Sequence, residues 1–172
     1  MKPIVQSDED LLVSNEKSLR GITLNRPRAM NALTLDMVVE IYDLLRSWAS
    51  DPDVKVVMLD GAGERGLCAG GDVRALYNAA RTGTDLPHRF WKAEYRLDAL
   101  IARYPKPVVA IMDGIVMGGG VGISAYASHR VGQLGHFLKS NRSMRGQHEL
   151  GNAQSVRNPA VWCGRRPVHQ HA

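Results

Sequence analysis

Apolar residues recur along most of the chain with two different periods. Leu11-Leu12-Val13, a polar break at Ser14-Asn15-Glu16 and then Leu19-Arg20-Gly21-Ile22-Thr23-Leu24 read as a hairpin. Asn25-Arg26-Pro27-Arg28 ends it, because proline lacks the N–H that a central ladder needs. Leu35, Val38, Tyr42, Leu45 and Ala49 then fall at helical spacing behind Thr34, a good N-cap, with Asp36 in the first turn. This predicts an amphipathic helix over about 34–49, stopped by Asp51-Pro52-Asp53. Val54-Lys55-Val56-Val57-Met58-Leu59 is apolar and β-branched enough for a buried strand of a parallel sheet. A Gly-rich loop runs from Gly61 to Gly71, and Asp72 caps a short helix to about Ala80. Phe90, Ala93, Leu97, Leu100, Ile101 and Tyr104 mark a second long helix, ended by Pro105-Lys106-Pro107. Val108 to Met112 is a second buried strand. Met117-Gly118-Gly119-Gly120-Val121 then turns into a helix of small residues reaching about Ser128. The order is that of an α/β fold. After Val131 no period continues.

Charge changes at the same point. The chain has 172 residues and a formal net charge of +5. Residues 1–129 hold 15 Lys and Arg against 16 Asp and Glu, whereas residues 130–172 hold 7 against the single acid Glu149. The first part is therefore at −1 and the tail at +6. The basic balance belongs to the tail and does not argue for a nucleic-acid partner of the folded part. No apolar run approaches the ~18 residues of a membrane span. Two cysteines, Cys68 and Cys163, make no disulfide framework. Asp8-Glu9-Asp10 follows Met1 too closely for an apolar signal core, so a cytoplasmic chain is the default expectation.

Candidate chemistry sits in the glycines. Gly61-Ala62-Gly63-Glu64-Arg65-Gly66 spells the dinucleotide fingerprint, but Leu67-Cys68-Ala69-Gly70-Gly71 follows where a helix should open. A plain turn accounts for it better. The pair of loops is more informative. Both strands end in glycines placed just before a helix, Gly70-Gly71-Asp72 and Gly118-Gly119-Gly120. Strand ends followed by such loops are where open α/β sheets bind ligands. Two backbone N–H groups converging on one carbonyl oxygen would form an oxyanion hole. Tight packing of helix on strand also needs glycine, and from the residues alone the two readings stand level.

At these residues the chain resembles the crotonase (enoyl-CoA hydratase/isomerase) superfamily. The markers are Leu24-Asn25-Arg26-Pro27 with Met30-Asn31-Ala32-Leu33, then Cys68-Ala69-Gly70-Gly71-Asp72, then Pro107-Val108-Val109-Ala110 with Asp113-Gly114 and Met117-Gly118-Gly119-Gly120. They run from about Leu19 to Val131. The resemblance implies an α/β crotonase-like ββα spiral and an acyl-CoA thioester as substrate. It implies an oxyanion hole from the N–H groups of Gly71 and Gly119, with Gly70 beside them. Coenzyme A would arrive as part of the substrate, with no separate cofactor and no metal. Hydratases of the family carry a catalytic Glu two residues after the triple glycine, where this chain has Gly122. Met117 to Ser124, Ala69 to Arg74 and the Glu94-Tyr95 pair resemble the 3-hydroxyisobutyryl-CoA hydrolases, which places Glu94 at the substrate site and implies thioester hydrolysis in valine degradation. From its pattern alone, Glu94 reads as the solvated face of a helix. An enoyl-CoA hydratase/isomerase, or a non-catalytic acyl-CoA-binding protein, are the alternatives.

The resemblance stops in mid-motif. The hydrolases continue with Met-Pro-Glu and Phe-Pro-Asp-Val-Gly-Gly, whose Glu and Asp carry the reaction. By gapless spacing these would fall near 142 and 150, which here are Arg142 and Leu150. The expected division is thus a partial acyl-CoA-binding domain over 1–130 and an irregular basic tail over 131–172, disordered or frame-shifted, with activity impaired. A basic interaction tail would want more aromatic interleaving than Phe137 and Trp162. A metal site at Cys163, His169 and His171 lacks a second ligand pair at zinc spacing. A reading-frame change explains the simultaneous loss of acids, period and motif better than either. Nothing in the residues speaks to oligomeric state.

Overall fold

The computed structural model describes residues 9–132. The elements run β1 (Leu11–Glu16), β2 (Leu19–Leu24), a single 3-10 turn (Pro27–Ala29), α1 (Leu35–Ala49), β3 (Val56–Gly61), α2 (Val73–Arg81), α3 (Leu86–Ala102), β4 (Val108–Met112), α4 (Gly119–Ala125) and β5 (His129–Gly132). The strands form one sheet in chain order, β1 antiparallel to β2 and every later pair parallel. Parallel neighbours need a crossover, and the helices supply it: α1 between β2 and β3, α2 and α3 between β3 and β4, α4 between β4 and β5.

The core follows from side-chain alternation. Ile22 pairs with Leu59, Leu59 with Ala110, and Val57 with Val108, so these side chains share one face, and all are buried. Against that face lie Met37, Val38, Ile41, Leu45 and Trp48 of α1 and Phe90, Leu97 and Ile101 of α3. The opposite face, through Val56, Met58, Val109 and Ile111, is only half-buried. The expectation of strands buried on both faces therefore holds for one face of this sheet.

Local signals act as expected at the helix starts. The Thr34 side chain accepts from Met37 N–H at 3.2 Å, and Asp72 accepts from Ala75 N–H at 3.1 Å. Pro105 and Pro107 close α3. Between them Lys106 donates to the carbonyls of Trp48, in the last turn of α1, and Asp51, just beyond it, a cation at the negative end of the helix. Tyr104 lies past α3 and donates to the Leu45 carbonyl at 2.8 Å.

Three expectations change. Ser14-Asn15-Glu16 is part of β1, paired with Gly21, Arg20 and Leu19. It is polar because it is exposed, not because the strand has broken. The last helix is shorter than read, ending at Ala125, and His129–Gly132 is a strand paired with β4. Four residues headed by His129 and Arg130 carry no β signature of their own, and the pairing alone defines them. Val131 and Gly132, assigned to the tail by the expected boundary at 130, belong to β5. The rest of the tail over 133–172, with the readings placed on Cys163, His169, His171, Arg142 and Leu150, lies outside the described residues.

Candidate functional site

Both Gly-rich loops leave the same end of the sheet, one after β3 and one after β4. A lattice of backbone bridges brings them together: Leu33 with Gly71, Gly66 with Gly114, and Cys68 with Val116. The loops then touch backbone to backbone. A Cβ on Gly70 would stand 3.2 Å from the Met117 carbonyl and 3.5 Å from Gly119 N, and one on Gly118 only 3.4 Å from Gly70 Cα. Gly70 (φ 106°) and Gly118 (φ 48°) also occupy backbone regions that side chains disfavour. Glycine here serves close approach, so the packing reading is correct for Gly70 and Gly118. It does not exhaust Gly71 and Gly119.

The Leu33 N–H donates to the Gly70 carbonyl at 2.8 Å, and the Asp72 N–H donates to the Leu33 carbonyl at 2.9 Å. By strand alternation the intervening Gly71 N–H points away from Leu33. Gly119 opens α4, where an N–H has no intrahelical acceptor. Among the described residues neither N–H has a hydrogen-bond acceptor. Both glycines line one cavity of about 600 Å³, with Gly118, Gly122, Glu94 and Asp98. Its outer wall is apolar: Val73, Tyr77, Trp91 and Tyr95 are all well exposed. A larger groove of about 850 Å³ between α1 and α3 contains none of these glycines. Its walls carry Asp36, Glu40 and Asp43 on α1 and Arg89, Lys92 and Arg96 on α3, above a floor that includes Leu35, Leu44 and Ala93. It is a charged surface cleft rather than a converging site.

Glu94 does not sit on a solvated face. It is 7% exposed, and its Oε1 occupies the space a Cβ on Gly119 would enter. Burial raises its carboxyl above the usual range. One turn further on, burial and then the Glu94 charge push Asp98 up to about 7. Helical spacing of four residues puts the two carboxyls on one face. The i, i+4 relation was visible in the sequence, but nothing there showed which side of α3 faces the glycines.

The flanking motif residues hold the loops. Asn31 is buried in a left-handed conformation (φ 55°). Its side chain accepts from Arg26 N–H at 3.0 Å and donates to the carbonyls of Ala62 and Gly66. Arg26 donates to the Ala32 carbonyl at 2.7 Å and to Asp72 at 3.0 Å, fixing the cap next to Gly71. Burial alone would raise Asp72, but the Ala75 N–H and the Arg26 guanidinium outweigh it and hold the carboxyl below its usual range. Cys68 is buried and raised to about 11, a structural thiol behind the loop. The dinucleotide-like stretch opens no helix: Gly66 (φ 138°) lies against the backbone of Ile115. Among the described residues no group of three His, Cys, Asp or Glu could hold a metal ion.

The family model described as Enoyl-CoA hydratase/isomerase matches residues 19–133. The chain belongs to the enoyl-CoA hydratase/isomerase family. Membership in this family, whose fold is the crotonase fold, accounts for the two converging loops. The chain is 42% identical over 125 residues to a mitochondrial 3-hydroxyisobutyryl-CoA hydrolase of Gallus gallus, covering 73% of this chain and 32% of that protein. It is 49% identical over 110 residues to the Danio rerio protein of the same name, covering 64% of this chain and 29% of the relative. Among solved structures, a carnitinyl-CoA dehydratase from Mycobacterium thermoresistibile is similar with a TM-score of 0.72 and 54% identity, over 73% of this chain and 37% of that one. An enoyl-CoA hydratase from Rhodobacter sphaeroides follows with 0.70 and 44%, again over 73% and 37%. The chain spans about a third of the length of the curated relatives it matches.

Proposed function

We propose that the cavity between α2, α3 and α4 binds the acyl end of a coenzyme A thioester, and that the chemistry it is built for is thioester hydrolysis. The observation that carries this reading is the pair of N–H groups, Gly71 and Gly119, that have no acceptor among the described residues and line one cavity whose loops are locked backbone to backbone. A thioester oxygen accepting both would be polarised toward its tetrahedral intermediate. Loss of one such donor typically costs about 10²–10³ in rate. Coenzyme A enters as part of the substrate, and no separate cofactor is invoked.

Hydrolysis is favoured over hydration because position 122 carries no carboxyl. The similarity to proteins named 3-hydroxyisobutyryl-CoA hydrolase makes that ester, and with it valine catabolism, the first choice of substrate and pathway. The attacking water is expected to be activated by a carboxylate beyond the described residues. Because the resemblance puts those acids where Arg142 and Leu150 stand, we expect binding to outlast turnover in this chain. The test is steady-state hydrolysis of 3-hydroxyisobutyryl-CoA, with calorimetric binding of the same ester and hydration of crotonyl-CoA in parallel. Binding with turnover well below a complete hydrolase is the expected result. Full turnover would sink the impairment, and hydration faster than hydrolysis would favour the hydratase reading. Reading the nucleotide sequence across codon 131 tests the frame-shift origin of the tail.

The partner is thus an acyl-CoA. No nucleic-acid or membrane partner is proposed. No helix among the described residues is long and apolar enough to cross a membrane. The cytoplasmic placement stays a proposal beside relatives named as mitochondrial, and cell fractionation decides between the compartments.

A further inference from the structure

α3 presents two opposed faces. At about 100° per residue, Arg89, Lys92 and Arg96 lie on the side turned to α1, roughly opposite Phe90, Glu94 and Asp98. On the cavity side the carboxyls are not met by cations: among the described residues no ion pair engages Glu94 or Asp98. Among the described residues the buried Asp98 Oδ1 has no hydrogen-bond partner. Its place is set by Gly122, where a Cβ would stand 2.5 Å from Asp98 Oδ2 and 2.8 Å from Oδ1. Gly122 therefore leaves a slot in α4, and the side chain of Asp98 fills it from α3. One turn away Glu94 stands in the same relation to Gly119. The acyl end of the cavity is lined by two carboxyls on one helix and bare backbone on the other.

Two uncompensated carboxylates one turn apart are unfavourable in a half-dry cavity. The other titratable groups around them do not offset this. Cys68 lies behind the loop as a neutral thiol, and Tyr77 and Tyr95 are the phenols of the cavity wall. Arg89, Lys92 and Arg96 of α3 line the separate groove against α1, and Arg89 pairs with Asp85 at the start of its own helix. We propose that Asp98 is a positioning residue of this site: seated in the Gly122 slot, it keeps its proton beside the Glu94 carboxylate and so holds the acyl end of the cavity at a single negative charge. A thioester oxygen that gathers negative charge at Gly71 and Gly119 then meets one carboxylate instead of two. The inference rests on the acyl-CoA reading above and names a residue that reading does not use.

The test uses the full chain and two measurements. Carbon-13 NMR of the side-chain carboxyls follows the protons directly. Asp98 should titrate near neutral pH because of burial and the Glu94 charge, and Glu94→Gln should move it down, by about one unit if the two couple as a close carboxyl pair does. Asp98 titrating with the ordinary carboxylates, or unmoved in E94Q, overturns the proposal. The second measurement is calorimetric binding of acetonyl-CoA, a ketone that carries the carbonyl oxygen without a cleavable bond. Its affinity should fall about tenfold between pH 6 and 8.5 in the unaltered chain, because one unit of coupling is a factor of ten. In Asp98→Asn, an isosteric variant that mimics the protonated form, affinity should stay level. Binding that is flat with pH in the unaltered chain, or that falls equally in D98N, overturns the proposal alone. No binding by any form at any pH overturns the acyl-CoA reading and the proposal with it.

Discussion

Asp72 is the point where helix start, loop and N-terminal motif meet, so its replacement separates their contributions. The side chain makes two interactions, the cap to Ala75 N–H at 3.1 Å and the bond from Arg26 at 3.0 Å, and both ionic side chains are 22% exposed. Loss of a capping side chain costs about 1 kcal/mol. A partly buried charge-assisted hydrogen bond contributes about 1.5 kcal/mol. Asp72→Ala should therefore destabilise by about 2–3 kcal/mol. Asp72→Asn keeps the cap and loses only the charge, for about 1 kcal/mol. Arg26 is not stranded by either change, since it still meets the Ala32 carbonyl at 2.7 Å and Asp10 at 3.5 Å. The assay is urea unfolding of D72A, D72N, R26A and the double variant D72A/R26A, with a coupling energy of about 1 kcal/mol expected from the cycle. The pH dependence has a definite sign. A carboxyl held below its unfolded value of 3.8 stabilises above that value and loses the contribution as pH falls through its lower folded value. The advantage over D72N should vanish on acidification. A coupling near zero, or D72N as costly as D72A, would refute the assignment of separate cap and ion-pair roles.

Other outcomes follow from the same geometry. Gly66→Ala should cost about 3 kcal/mol or more, because φ 138° is strained for a side chain and the new Cβ would run into the Ile115 backbone; chemical denaturation measures it. Asp98, raised from 3.8 to about 7, makes stability fall as pH rises across that interval, since the folded state keeps a proton the unfolded chain has released. Melting temperatures from pH 4 to 8 should show this slope in the unaltered chain and a shallower one in D98N, where the raised Glu94 carboxyl remains. Cys68, buried and raised to about 11, should resist thiol reagents in a Cys163→Ser background until denaturant is added. Gly119→Ala would displace the Glu94 carboxyl and press on Leu33, so urea unfolding should show a loss of about 1–3 kcal/mol, and CoA-ester binding, followed calorimetrically, should weaken.

The features legible in the sequence are those that local chemistry decides. Thr34 and Asp72 cap because a short polar side chain before a helix has unpaired N–H groups within reach. Pro105 and Pro107 end α3 because proline cannot continue it. The glycine pairs marked the two loops, and the family motifs implied Gly71 and Gly119 within them. Other features depend on partners distant in the chain. β5 is four residues of mixed polarity that become a strand only beside β4. Glu94 read as solvent-facing because it is a charged residue on an amphipathic helix, yet it shares the buried face of Phe90, Leu97 and Ile101 and its carboxyl lies against Gly119 of α4. Asn31 and Arg26 were motif letters until their bonds to Ala62, Gly66 and Asp72 gave them work. Periodicity and local signals thus determined α1, α2, α3 and the strands up to β4, because each of these is a property of neighbouring residues, whereas β5 was not among them. The tertiary structure alone decided which face of α3 meets the glycines, because that depends on the packing of α3 against α1 and α4, and with it where two carboxyls stand.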